Sequence, residues 1–370
     1  MGKLNDLGSL GQAVWLDFVD RKFLEAGGLK KLVDEDGLTG VTSNPSIFEK
    51  AMGQGTAYDE TLAAFDKAHP GAATIDRYEA LAVEDIKAAA ETLRPVYDRL
   101  DGKDGYVSLE VSPYISDDTD ATIAEAQKLW AMVDKPNLMI KIPGTPAGVP
   151  AIAATIANGI NVNVTLLFSQ EAYQAVALAY CDGLEKRVAE GQPIDKIASV
   201  ASFFVSRIDS AIDKKIDALG TDEAKAIRGK VAIANAKMAY QWYLEFLQSD
   251  RWQALAAKGA QPQRLLWAST GTKDKAYPDT LYVDTLIGRD TVNTMPPATM
   301  DAFRDHGTAA ETLTQDIDGA RHVLAEAERL GLDLAGVTET LASEGVASFV
   351  KSFDDLIGSI AAKQPAQAGA

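Results

Sequence analysis

The 370-residue sequence predicts an α/β protein whose core is a (β/α)8 TIM barrel carrying extra helices. Three observations carry that expectation. Short apolar or β-branched runs alternate with longer helical patterns from one end to the other, which is the signature of parallel βα architecture. Eight such runs can be counted, enough to close a barrel. Their apolar texture is broken by single polar residues, Asp17, Glu110, Lys141, Asn163 and Thr165, as expected of strands buried on both faces that point a few polar groups into the barrel mouth. An open doubly wound sheet is the competing fold. It calls for a GxGxxG turn after the first strand, and residues 19–28 (VDRKFLEAGG) contain none; no GxxxxGK[ST] loop appears elsewhere.

Taken in order, the predicted strands are 13–18 (AVWLDF), 38–42 (LTGVT), 106–111 (YVSLEV), 138–142 (LMIKI), 160–167 (INVNVTLL), 197–204 (IASVASFF), 264–268 (RLLWA) and 281–286 (LYVDTL). Helical periodicity marks 74–93, 170–189 and the Ala-, Lys- and Glu-rich stretch 222–248. About 250 residues suffice for such a barrel. The surplus is assigned to a helical insertion at 53–100 and a C-terminal helical extension at 300–361, within a single domain spanning 1–370. In the extension, Val323, Ala327, Leu330 and Leu334, and later Phe349, Phe353 and Ile357, recur at helical spacing. Such a tail covers a barrel or its mouth, and residues 362–370 read as a flexible terminus.

Composition excludes several functions. Hydrophobic residues at 46% and charged residues at 24% supply both a core and a polar surface, so disorder is not expected. A net charge of −17 repels nucleic-acid backbones and anionic lipid headgroups, so neither nucleic acid nor membrane is expected as a partner. One cysteine, Cys181, and three histidines, His69, His306 and His322, leave little for a disulfide scaffold, a zinc module or a di-metal centre, and no metal is expected. Cys181 reads as a helix-packing residue, with a redox role as the alternative. Residues 1–10 lack the apolar core of a secretory signal, and no run reaches the roughly 18 apolar residues of a spanning helix, so a cytoplasmic address is expected. Monomer and homodimer both remain open.

Lys141 is the most informative residue. It interrupts an apolar strand immediately before Pro143 and Gly144, where burial disfavours the ammonium and makes a neutral amine accessible for attack on a carbonyl to form a Schiff base. The alternative is a lysine that snorkels to solvent or pairs with a buried carboxylate. Asp17 and Glu110 sit near the C-terminal ends of other strands, the barrel face that carries active sites. Imine chemistry moves protons at the amine, at the departing water and at a substrate hydroxyl, which suits two flanking carboxyl groups; each could instead only neutralise Lys141. Asn163 and Thr165 share one strand face and, turned inward, could hold a substrate hydroxyl or a water. In 40–48 (GVTSNPSIF), Thr42 and Asn44 are candidate substrate contacts, although Asn44 before Pro45 is first of all a helix N-cap. Phosphate binding requires local cations. Ser202 and Arg207 in 202–207 (SFFVSR) lie at and just beyond the end of the sixth strand, Ser269 and Lys273 in 269–273 (STGTK) follow the seventh, and pairing of Arg207 with Asp209 is the competing reading.

Together these segments resemble the transaldolase family. They are GVTSNPSIF (40–48), SLEVSP (108–113), MIKIPGTPAG (139–148), GINVNVTLLFS (159–169), SFFVSRID (202–209) and LLWASTGTKDKAYPDTLYVDTLIGRDTVNTMPP (265–297), in order over most of the chain. The likeness is greatest to the longer bacterial branch known from actinobacteria and cyanobacteria; SFFVSR departs from the SPFVGR of the shorter type at Phe203 and Ser206 but keeps the serine and the arginine. The resemblance implies a circularly permuted class I aldolase barrel and no metal or organic cofactor. It implies that Lys141 forms the Schiff base, that Glu110 is the acid/base acting through a water positioned by Thr165, and that Asp17 takes and returns the substrate hydroxyl proton. Asn44 and Asn163 are then contacts of a bound dihydroxyacetone unit, and Ser202 and Arg207 are phosphate contacts; the assignment of Lys273 as the second phosphate cation is weaker, because the STGTK loop differs more. The implied activity is ping-pong transfer of dihydroxyacetone between sugar phosphates. Two alternatives stand beside it, a fructose 6-phosphate aldolase-like lyase and a non-catalytic barrel that binds sugar phosphates.

Overall fold

A computed structural model describes residues 2–363 of the chain. After α1 (Lys3–Ser9), β1 (Gln12–Asp17) leads through α2 (Arg21–Glu25) and α3 (Gly28–Asp36) to β2 (Gly40–Thr42). The helices α4 (Pro45–Gly53), α5 (Asp59–Ala68) and α6 (Thr74–Arg99) precede β3 (Tyr106–Glu110). A short 3-10 turn at Pro113–Ile115 then opens a regular alternation of α7 (Thr119–Val133), β4 (Leu138–Pro143), α8 (Gly148–Ala157), β5 (Val162–Leu167), α9 (Gln170–Ala189) and β6 (Ser199–Phe204). The remainder runs α10 (Ser206–Leu219), α11 (Asp222–Ala226), α12 (Val231–Phe246), α13 (Asp250–Ala256), β7 (Arg264–Ala268), α14 (Leu281–Asp284), β8 (Thr291–Met295), α15 (Pro297–His306), α16 (Ile317–Arg329) and α17 (Leu334–Ala362).

The eight strands form a closed parallel barrel in sequence order, with β1 pairing both β2 and β8. The first seven lie where periodicity placed them, with ends shifted by a residue or two. The eighth does not. Residues 281–286 (LYVDTL) were expected as a strand but begin with helix α14, which buries Tyr282 and Val283, and the closing strand is Thr291–Met295. Short apolar runs are ambiguous between strand and buried helix. The true strand, TVNTM, reads as polar because Thr291 and Asn293, on the face turned to the helices, find buried partners on other segments: Gln12 donates to Thr291 Oγ1 at 3.0 Å and Thr270 donates to Asn293 Oδ1 at 3.0 Å. The helical stretch 222–248 likewise divides into α11 and α12, separated by a segment in which Gly229 has a φ of 70°.

The N-terminal end of the barrel is plugged. Trp15 shares the inward face of Asp17 one layer below it, is fully buried, and donates its indole N–H to Asp104 Oδ1 at 2.9 Å. Arg264 meets the same carboxylate at 3.2 Å. Gly40 pairs in register with Trp15, and a Cβ at that position would lie 2.3 Å from the indole ring, so only glycine admits the tryptophan. The open end is therefore the C-terminal one. There β5 bulges against β6 between Val164 and Leu167, with Leu166 at φ 59°, and α17 crosses over the bulge. Gly345 lets α17 approach so closely that a Cβ would stand 2.8 Å from Leu166 Cδ2. The helix is fastened by a Ser46–Ser352 hydroxyl contact of 2.6 Å, by Arg77 donating to the Ile360 carbonyl at 2.8 Å, and by Tyr114 donating to Asp354. Of the terminus expected at 362–370, Ala362 closes α17 and Lys363 follows in a turn; residues 364–370 lie outside the described part. No helix among the described residues is long and apolar enough to cross a membrane.

Candidate active site

Strand register brings the candidate residues to one level. Lys141 on β4 pairs with Glu110 on β3 and with Asn163 on β5, while Asp17 on β1 pairs with Thr42 on β2. The Lys141 side chain is enclosed, and its Nζ lies 3.3 Å from Glu110 Oε2 and donates to the Ser43 carbonyl at 3.0 Å. The contact with Glu110 is ionic rather than an aligned hydrogen bond, since neither carboxylate oxygen has a hydrogen-bond partner. Across the barrel axis, Asp17 Oδ1 accepts from Thr42 at 2.8 Å, and the Thr42 hydroxyl also meets that of Thr294 at 2.8 Å.

Burial and charge set the proton affinities. Burial pushes the Glu110 carboxyl up to about 7 against the pull of Lys141, and Asp17 pushes it further. Burial likewise raises Asp17, opposed first by Lys141, then by the Thr42 hydrogen bond and by Arg207 and Lys273. Glu110 is thereby poised to exchange protons near neutral pH, and Asp17 holds its proton more firmly than an ordinary carboxyl group.

A cavity of about 630 Å³ opens above this level. Asp17, Thr42, Asn44, Lys141, Thr165, Ser202, Arg207, Ser269 and Lys273 all line it. Thr165 presents a buried hydroxyl with no protein partner. Asn44 accepts from the Ile47 N–H at 3.0 Å, so it caps α4 with Pro45 in the first turn and faces the cavity as well. Glu110 and Asn163 stand behind the lining. Asn163 is fully buried, donating to Ser108 Oγ at 3.0 Å and accepting from Ser202 at 2.7 Å, which makes it a support for Ser202 as the structure stands.

The opposite end of the cavity is cationic. Helix α10 begins at Ser206 without a side-chain cap, so the positive end of its dipole stays available. Arg207 follows, its guanidinium 5.2 Å from the Phe204 ring centroid. Burial lowers its pKa and Asp17 counters that. The alternative pairing with Asp209 is absent: that carboxylate accepts from the Ala232 N–H at 2.8 Å and from the Tyr282 hydroxyl at 2.9 Å. Ser269, at φ 54°, meets Ser206 hydroxyl to hydroxyl at 2.9 Å. The loop carrying Lys273 is tied down next door, where Arg228 donates to Asp274 at 2.7 Å and to Tyr277 at 2.7 Å, and Tyr277 donates to Asp213 at 2.7 Å. Cys181 is buried within α9 with its thiol pushed up to about 12 by burial, which suits packing rather than redox chemistry.

Sequence reasoning missed Thr294, Phe349 and Lys50, all of which line the cavity. Thr294 sits on the strand that was misplaced. Phe349 was read only as part of a helical stripe, and Lys50 on α4 lies two residues beyond the motif that contains Asn44, with nothing local to single it out. Ser43 and Ser108 lay inside quoted motifs; their roles, a carbonyl for Lys141 and a hydroxyl for Asn163, depend on contacts between strands.

Fold and site together put the chain among the (β/α)8 barrels that hold their polar centre at the C-terminal ends of the strands. The family model for Transaldolase/Fructose-6-phosphate aldolase matches residues 14–360, and the chain belongs to that family. It is 50% identical over 359 residues to a protein of Thermobifida fusca named Transaldolase, covering 97% of each chain. It is 50% identical over 361 residues to Transaldolase 2 of Streptomyces coelicolor, covering 97% of this chain and 96% of that one. A Transaldolase of the cyanobacterium Trichodesmium erythraeum is 49% identical over 370 residues, with 97% of each chain covered. The likeness to actinobacterial and cyanobacterial proteins agrees with the branch indicated by the motifs.

Proposed function

We propose that the protein is a transaldolase that moves a dihydroxyacetone unit from sedoheptulose 7-phosphate to glyceraldehyde 3-phosphate, giving erythrose 4-phosphate and fructose 6-phosphate, in the cytoplasmic, non-oxidative pentose phosphate pathway. The observation that carries this reading is the enclosed Lys141–Glu110 pair, 3.3 Å apart, beside a cavity whose far end is cationic. Transfer of a proton from Lys141 to Glu110 frees the amine, which attacks C2 of the ketose; the resulting carbinolamine loses water as Glu110 returns a proton to the departing hydroxyl. The unpartnered hydroxyl of Thr165 is available to hold the water that relays that proton.

Asp17 then takes the proton of the C4 hydroxyl, the C3–C4 bond breaks, and its electron pair flows into the iminium to leave an enamine on Lys141. The aldose phosphate departs and an acceptor aldehyde takes its place. The enamine carbon attacks the aldehyde carbonyl, Asp17 returns its proton to the new hydroxyl, and hydrolysis of the iminium frees Lys141. Arg207, Lys273, Ser269 and the uncapped start of α10 would hold the phosphate, which fixes the depth of the sugar chain relative to Lys141. A cavity of about 630 Å³ is ample for a sugar phosphate.

Reduction with borohydride in the presence of fructose 6-phosphate, read by peptide mass spectrometry, tests this. The expected product is a three-carbon adduct on Lys141 that is absent from Lys141→Arg. An unmodified lysine would leave only a binding barrel, and release of dihydroxyacetone at the same rate with and without acceptor would point to a lyase.

A further inference from the structure

One wall of the cavity takes no part in the steps above. Phe349 reaches in from α17, is 4% exposed, and sets its ring centroid 5.7 Å from Lys141 Nζ. Its position is fixed from outside. One turn further along, Phe353 packs edge-on against Tyr78 and Tyr114, with centroids 5.2 Å and 5.3 Å away, and the Ser46–Ser352 contact pins the intervening turn to α4. The ring therefore presents a rigid apolar surface at the nitrogen that would carry the covalent substrate.

The enamine on that nitrogen has two fates. Its nucleophilic carbon can attack the acceptor carbonyl, forming the new C–C bond and regenerating an iminium. Alternatively, that carbon takes a proton, water adds to the iminium carbon, and the C–N bond breaks to return the Lys141 amine and release dihydroxyacetone. Neither route is a redox step, and the second needs only a proton and a water. What separates them is whether water reaches the adduct before the acceptor does.

We propose that Phe349 sets the partition between transfer and release, its ring excluding water from the lysine adduct so that the enamine survives until an acceptor aldehyde arrives. This rests on Lys141 being the Schiff-base residue. An aromatic ring within about 6 Å of a cationic nitrogen also favours positive charge there, so it stabilises the iminium in the dry pocket without help from water.

The test compares wild type with Phe349→Leu and Phe349→Met, which keep an apolar side chain but lose the aromatic face, and with Phe349→Trp, which keeps it. Free dihydroxyacetone and transferred product are measured from fructose 6-phosphate with and without erythrose 4-phosphate. The Leu and Met variants are expected to raise the release-to-transfer ratio on the order of tenfold, with Trp close to wild type. Two aliphatic replacements guard against one failing to fold. A ratio within twofold of wild type in whichever aliphatic variant folds, with release and transfer falling together, overturns the proposal. Borohydride trapping on the same samples separates the two claims: an absent wild-type adduct refutes the lysine assignment, whereas an intact adduct with an unchanged ratio refutes only the role of Phe349.

Discussion

Glu110 provides a thermodynamic test that needs no substrate. Its carboxyl is pushed from an ordinary value of 4.5 up to about 7 by burial, less the pull of Lys141. Below pH 4.5 both folded and unfolded chains hold the proton. As pH rises towards 7 the unfolded chain gives it up while the folded chain keeps it, so the folded state binds more protons and stability falls with pH. The contribution is thus complete below the unfolded value and lost by the time pH passes the folded one. At about 1.4 kcal/mol per pH unit, the gap between 4.5 and about 7 amounts to roughly 3 kcal/mol.

Glu110→Gln abolishes that dependence while keeping the side chain's shape, and Lys141 retains the Ser43 carbonyl as acceptor at 3.0 Å. Buried acids that do not interact with Glu110, Asp209 among them, titrate in wild type and variant alike and cancel in the comparison. Urea unfolding between pH 4.5 and 8 should therefore show wild type losing roughly 3 kcal/mol more than the variant across that window. Parallel stability curves would refute the claim that Glu110 is a buried acid poised near neutrality, and with it the proton exchange on which freeing the Lys141 amine depends.

Two further perturbations address the ends of the barrel. Arg207→Ala should raise the KM for phosphorylated sugars by roughly 10- to 150-fold, the equivalent of about 1.5–3 kcal/mol for a charge-assisted hydrogen bond, and leave unphosphorylated fructose little affected; equal losses for both would remove Arg207 from the phosphate site. Gly40→Ala drives a methyl to 2.3 Å from the Trp15 ring and should destabilise by about 1–3 kcal/mol in urea unfolding, with kinetic constants unchanged at temperatures where the variant stays folded.

Much of the barrel was legible because parallel strands buried on both faces leave a simple trace: an apolar run, a length of about five residues, a helical pattern on either side. The same rule failed for β8. Asn293, Thr291 and Thr294 are all buried there, and Asn293 Oδ1 and the two hydroxyls meet Thr270, Gln12 and Thr42 from segments distant in sequence, contacts that no local window contains. Lys141, Glu110 and Asp17 were visible as polar interruptions of apolar runs, because a charge inside a strand is rare enough to signal chemistry. Phe349 could not be seen in this way. An aromatic residue in a periodic helix looks like any core residue, and only the crossing of α17 over the barrel mouth, made close by Gly345 and the bulge at Leu166, turns it towards Lys141.

The acidity of the chain also takes on a spatial meaning. If it accepts phosphorylated sugars as proposed, a protein with net charge −17 must offset a repulsive field locally. Within the cavity Lys50, Lys141, Arg207 and Lys273 face one lining carboxylate, Asp17. Of these cations, only Lys141 forms an ion pair among the described residues. Outside the cavity, arginines such as Arg228, Arg251 and Arg304 are each held by two carboxylates. A guanidinium already bound to carboxylates has little left to offer a phosphate, whereas a half-buried, unpaired one such as that of Arg207 gains most from an incoming dianion. On the proposed function, selectivity for phosphorylated substrates therefore depends less on the total number of cations than on which of them the fold leaves without a partner.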